Sequence, residues 1–134
     1  MYQPVMDYVS VRDLPVPAVI GVRDWERDIT QTLVFNLDLA CDVRRAAETD
    51  DLAEALDYSE VAQTISAVVR AGRFRLIETA AERVAERLLA GHPVTWLRLE
   101  VRKPIASGGY TAAVTIERGT RSGGGPVDAL PDPD

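Results

Sequence analysis

One cysteine and one histidine are all that this 134-residue chain offers in the way of soft metal ligands. A lone Cys41 cannot form an internal disulfide, and it is compatible with a reducing compartment. Two such residues are also too few for an all-protein zinc site, whose ligands come in fours. No apolar run approaches the roughly 18 residues that a membrane-spanning helix needs. Basic residues are outnumbered, with Lys+Arg 15 against Asp+Glu 21 and a formal net charge of -6. A chain of that sign lacks the broad positive field that nucleic acids require, although local arginines can still hold a small anion. Gly-x-Gly-x-x-Gly, Gly-x-x-x-x-Gly-Lys and internal repeats are absent. The acidic run from Glu48 to Glu60 lacks the ligand spacing and central glycine of an EF-hand loop, so it reads as a solvated connection. Met1-Tyr2-Gln3-Pro4 lacks the basic-then-apolar layout of a secretory signal, and the expectation is a soluble, cytoplasmic protein.

What is present suffices for one domain with a sizeable core: 46% of the residues are apolar, in a length that fits a single domain of roughly 100 to 200 residues. Val5 to Leu14 reads as a strand with Val5, Asp7, Val9 and Val11 on one side. Pro15 and Pro17 then mark an edge, a bulge or the strand's end. Arg23 to Gln31 is a charged loop or short helical turn. The cleanest strand is Leu33 to Cys41, with Leu33, Phe35, Leu37, Leu39 and Cys41 on one face, which makes Cys41 a small core hydrophobe. Asp57-Tyr58-Ser59-Glu60 fits a capping box, and Val61, Ile65, Val68 and Val69 form the apolar stripe of a helix that Gly72 stops. A second helix is expected from Leu76 to Ala90, burying Ile77, Ala81, Val84 and Leu88. Strands from Val94 to Lys103 and from Tyr110 to Arg118 follow. The order ββααββ predicts an α+β domain over 1–118, an antiparallel four-stranded sheet with two helices on one face. Residues 119–134, rich in proline and glycine, are expected to be a disordered tail. Helices on one side leave the other sheet face open, and oligomerisation is a physical way to cover it.

Four residues carry candidate chemistry. Lys103 follows Leu97, Leu99 and Val101 on one side of its strand, so a desolvated amine able to move protons competes with a lysine snorkelling at the sheet rim. Glu78 lies in the first turn of the second helix, where unpaired amides and the helix dipole favour its charge. There it could accept two parallel N–H bonds from a 2-aminopyrimidinone edge, or simply face water. Tyr58, at the start of the first helix, could relay a proton or pack. Glu26 follows Asp24-Trp25 in the charged loop, with Gln31 five residues on.

Taken together, five ordered segments change the weighting: Gly21-Val22-Arg23-Asp24-Trp25-Glu26-Arg27-Asp28-Ile29-Thr30-Gln31, Asp50-Asp51-Leu52, Asp57-Tyr58-Ser59-Glu60-Val61, Leu76-Ile77-Glu78-Thr79-Ala80-Ala81-Glu82-Arg83 and Lys103-Pro104. In order and spacing the chain resembles the dihydroneopterin aldolase family, with dihydroneopterin triphosphate epimerase as a close relative of the same fold. The resemblance implies a tunnelling fold, a homo-octamer of two stacked four-membered rings, and sites between neighbouring subunits. It implies a retro-aldol cleavage of 7,8-dihydroneopterin without metal or cofactor, in which the pterin ring takes up the bonding electrons. By the same resemblance Glu78 grips the pterin's 2-amino and ring N–H edge, with Leu76 and Ile77 around the ring. Lys103 would act through water as base and acid, Tyr58 would assist proton transfer, and Glu26 would lie near the trihydroxypropyl chain. An epimerase, or a non-catalytic pterin-binding ring scaffold, are the alternative readings.

Overall fold

The computed structural model describes residues 7–120. Four strands and three α-helices follow in the order β1 (Tyr8–Ala18), β2 (Gln31–Ala40), α1 (Arg44–Thr49), α2 (Tyr58–Gly72), α3 (Ile77–Gly91), β3 (Trp96–Ile105) and β4 (Tyr110–Gly119). The sheet is antiparallel throughout, with spatial order β1-β2-β3-β4. This is the expected tunnelling-fold architecture, with the addition of α1. That six-residue helix starts before the acidic run read as a connection and overlaps it only at Glu48 and Thr49; none of its residues is buried, so it leaves no apolar period in the sequence.

β1 does not end at Leu14 but continues to Ala18 through both prolines. It is an edge strand, and Pro15 and Pro17 share a parity, so their missing N–H groups fall on the same unpaired side. The ladder slips between Val11 and Leu14, where Asp13 adopts a φ of 57° and its N–H is taken up by Asn36 Oδ1 at 2.8 Å. The extra residue inverts the alternation. Val9 and Val11 face the helices before the bulge, and Leu14, Val16 and Ala18 face them after it.

α2 and α3 cover one face of the sheet. Leu33, Phe35, Leu37 and Leu39 of β2 are fully buried beneath Val61, Ile65 and Val69 of α2 and Ala81, Val84 and Leu88 of α3. Asp57 caps α2, its carboxylate accepting from the Ser59 and Glu60 amides at 2.9 and 3.3 Å. Cys41, just beyond β2, is half-buried against this core, and burial pushes its thiol pKa up, with Asp7 and Asp42 acting in the same direction.

The opposite sheet face, expected to be left open by the helices, is polar: Arg12 pairs with Asp38 at 2.6 Å, Ser10 donates to the same carboxylate, and Asn36 donates to Glu100 at 3.1 Å. That face can remain wet. Exposed apolar side chains gather instead at the two ends of the sheet. Val22, Trp25, Ile29, Leu76 and Tyr110 lie where β1 ends and β4 begins, while Tyr8, Val43, Leu52 and Tyr58 mark the other end. Among the described residues no helix is long and apolar enough to cross a membrane. The expected tail overlaps the fold at its start, because Gly119 closes β4 and the Thr120 amide bonds the Thr95 carbonyl at 2.8 Å. The remainder, 121–134, lies outside the described residues, as does the start of the first expected strand.

Candidate active site

β3 carries Leu97, Leu99, Val101 and Lys103 on its helix-facing side, and the first three are fully buried. Lys103 sits one residue past the end of the β2–β3 ladder, whose last pair is Val34 and Arg102, while β2 continues to Gln31 paired with β1 alone. β3 itself continues past Lys103 with β4 alone, through Pro104 opposite Thr111. Pro104 is tolerated because β2 no longer asks for its N–H.

The loop between β1 and β2 supplies the partner of Lys103 instead. Residues 19–23 leave β1, and a single 3-10 turn, Asp24–Asp28, turns Glu26 inward until its residue is only 7% exposed. Lys103 Nζ donates to Glu26 Oε2 at 2.7 Å, so the amine at the end of the apolar row meets a carboxylate. Gln31 Nε2 donates to the same oxygen at 3.1 Å and to the Ile20 carbonyl at 2.9 Å, and the Arg23 amide donates to Oε1 at 3.1 Å. Gly21 adopts a φ of 126°, and a Cβ there would occupy the space of the Glu26 carboxyl. A buried carboxylate is tolerated only when it is paired and fully hydrogen-bonded, and this one is.

The hydrogen bond from Lys103 is the main cause that lowers the Glu26 pKa to about 2, helped by Gln31 and the Arg23 amide and opposed by burial. A carboxylate whose folded pKa lies below its unfolded value contributes stability above the unfolded value and loses it on acidification. The stability difference between wild type and Glu26→Gln is therefore expected to be constant above about pH 4.5 and to shrink as pH falls toward about 2. Urea unfolding across that range measures it, and a difference that grows on acidification would contradict the pairing.

Glu26 and Lys103 open onto a cleft of about 780 Å³. Its other wall is the start of α3: Leu76 supplies the N-cap position, Ile77 packs partly against the core, and Glu78 stands exposed in the first turn. Trp25, 56% exposed, and Tyr110 form the rim. Four of the expected site residues, Glu26, Leu76, Ile77 and Glu78, are thus brought together with Lys103 from three separate parts of the sequence. Tyr58 is not among them. It is 64% exposed at the N-terminus of α2, whose C-terminus leads into α3. A 15-residue helix is about 22 Å long, which puts Tyr58 at the far end of the subunit from Glu78.

Sequence reasoning placed Glu26 and Lys103 separately and missed their bond. It also missed a signal in the composition. Lys103 is the only lysine of the chain, every other one of the 15 basic side chains being arginine. Arginine supplies charge but cannot give up its proton in a protein, whereas lysine can.

An exposed carboxylate at a helix start, across an open cleft from a buried lysine–carboxylate pair, suits a heterocycle with N–H donors whose substituent undergoes proton transfer. Residues 9–118 match the family model for dihydroneopterin aldolase (FolB). The chain is 44% identical over 115 residues to the dihydroneopterin aldolase of Escherichia coli strain K12, spanning 85% of this chain and 94% of that protein. The crystal structure of the E. coli dihydroneopterin aldolase in complex with neopterin matches with a TM-score of 0.81 at 43% identity, over 85% of this chain and 100% of that one. The dihydroneopterin triphosphate 2'-epimerase of Pseudomonas aeruginosa is 28% identical over 104 residues, covering 78% of this chain and 85% of that protein. The match extends through both walls of the cleft and all four strands, and the chain belongs to the dihydroneopterin aldolase family.

Proposed function

We propose that the chain cleaves 7,8-dihydroneopterin by retro-aldol reaction in the cytoplasm, giving 6-hydroxymethyl-7,8-dihydropterin and glycolaldehyde for folate biosynthesis. The observation that carries this reading is the buried Lys103–Glu26 pair facing Glu78 across one cleft. Glu78 takes the 2-amino and ring N–H donors of the pterin, and Leu76 and Ile77 flank the ring. This directs the trihydroxypropyl chain at Lys103 and Glu26. Removal of the proton from the second side-chain hydroxyl lets its oxygen form the aldehyde carbonyl. The bond between the first and second side-chain carbons breaks, and its electron pair moves into the pterin ring. Reprotonation of the first carbon gives the hydroxymethyl product. Lys103 moves these protons through water, with Glu26 holding its ammonium in place, and no covalent adduct forms.

Tyr58 assists at the side-chain hydroxyl and carbon, and reaches the site from a neighbouring subunit. The two exposed apolar patches at opposite ends of the sheet support this. Unlike patches that meet head to tail generate a ring when the rotation closes. We propose four-membered rings stacked in pairs as a homo-octamer, with the neighbouring subunit's Tyr58 brought against the cleft.

Incubating the protein with 7,8-dihydroneopterin and EDTA, and separating products by chromatography, tests the assignment. Glycolaldehyde and hydroxymethyl-dihydropterin in equal amounts are expected. Predominance of the monapterin isomer would make it an epimerase, and strict dependence on added metal would contradict the mechanism.

A further inference from the structure

The cleft has two walls that no strand ladder joins: the loop 21–29, which carries Glu26, and the segment 73–78, which leads through Leu76 into Glu78. Arg27 crosses between them. Its Nη1 donates to the Gly21 carbonyl at 2.9 Å and to the Phe74 carbonyl at 3.1 Å, and its Nη2 donates to the Arg73 carbonyl. The Arg73 guanidinium returns a bond to the Arg27 carbonyl at 3.3 Å.

The receiving segment is shaped for this. Arg73 ends α2 in the left-handed conformation, φ 46° and ψ 47°, an uncommon state for a residue with a Cβ. Phe74 lies across Gly72 so closely that a Cβ at 72 would overlap its ring. These two features present successive carbonyls to one planar fork of donors. Among the described residues the Glu26 carboxylate, next to Arg27 in sequence, is bonded by Lys103, Gln31 and the Arg23 amide, not by Arg27. The Arg27 bonds go to main chain on both walls.

We propose that Arg27 is a positioning residue that fixes the spacing between the proton-transfer pair Lys103–Glu26 and the ring-gripping Glu78. The inference rests on the proposed function, because it assigns the two walls to the two halves of one substrate. The ring-side wall is held independently by the buried stripe of α3, and Lys103 by the sheet. Loss of Arg27 therefore leaves Lys103 and Glu78 on their own elements and lets the separation between the two walls drift. A displacement of about 1 Å can cost up to about 100-fold in rate when reacting groups must be aligned.

The test compares wild type with Arg27→Gln and Arg27→Lys. Guanine, which presents the same 2-aminopyrimidinone edge without a side chain, reports ring capture by equilibrium titration. Steady-state cleavage of 7,8-dihydroneopterin reports alignment, and amide hydrogen exchange reports the two walls directly. Arg27→Gln is expected to bind guanine as wild type does, to cleave about 10- to 100-fold more slowly, and to exchange faster in 21–28 and 73–78 together. Arg27→Lys should recover little of the rate, since an ammonium does not reproduce the planar fork. Unchanged cleavage by Arg27→Gln overturns the inference. So does a parallel fall in guanine affinity, cleavage and thermal midpoint, which is the pattern of a merely structural role. A wild-type protein that binds guanine but cleaves nothing would instead contradict the proposed function.

Discussion

Lys103→Arg is expected to fold, to bind pterins and to cleave 7,8-dihydroneopterin about 10²- to 10⁴-fold more slowly than wild type, the usual range for removing a positioned acid–base group. Arginine keeps a cation opposite the buried Glu26 carboxylate, so the fold retains its counter-charge. It cannot release a proton, so the proton-transfer step slows. Lys103→Ala should lose both. The carboxylate would then be buried without its partner, at a cost of roughly 3 to 5 kcal/mol in stability. The two variants separate the structural from the chemical part of one residue. Single-turnover rates beside equilibrium titration with a non-reactive pterin provide the measurement. An Arg variant that turns over bound substrate at the normal rate would make Lys103 a binding residue only. A borohydride-trapped adduct at Lys103 would replace the water-mediated route by a Schiff base.

Glu78→Ala is expected to act on binding instead. In the proposed pose its carboxylate meets two adjacent N–H donors of the pterin, and charge-assisted pairs of this kind are the strong ones. Removing it leaves the ring's two N–H donors without their acceptor, at roughly 2 to 5 kcal/mol for a charged pair that substrate binding buries. The loss should fall equally on the affinity for a ring-only ligand such as guanine and on kcat/KM for the full substrate. Calorimetric titration reads the first and initial rates the second. Glu78→Ala that binds guanine normally would place the ring elsewhere.

The two sites of action differ in how legible they were. The sheet and both long helices were readable because burial on one face imposes a period, two in β2 and near four in α2 and α3. The bulge at Asp13 was not, because one inserted residue reverses parity without altering composition. Neither was α1, which buries nothing. In the site, Lys103 and Glu78 were legible from position: the end of an apolar row and the first turn of a helix. Glu26 was one acid among several in a charged loop. Its burial depends on Gly21 adopting a positive φ and on β2 pairing having stopped short of Lys103, and both are tertiary facts. The polar character of the open sheet face is visible in alternate residues such as Asn36 and Asp38, so that face alone gives little reason for assembly. The two end patches have a clearer physical need for a neighbour.

A crystal structure of the assembled protein with neopterin tests the account most directly. One pterin is predicted in each cleft, its 2-amino and ring N–H groups on the Glu78 carboxylate and its side chain toward Lys103 and Glu26. The neighbouring subunit's Tyr58 is predicted within hydrogen-bond reach of the side-chain hydroxyls. A pterin seated away from Glu78, or a complete site formed within one subunit with Tyr58 remote from it, would contradict the account.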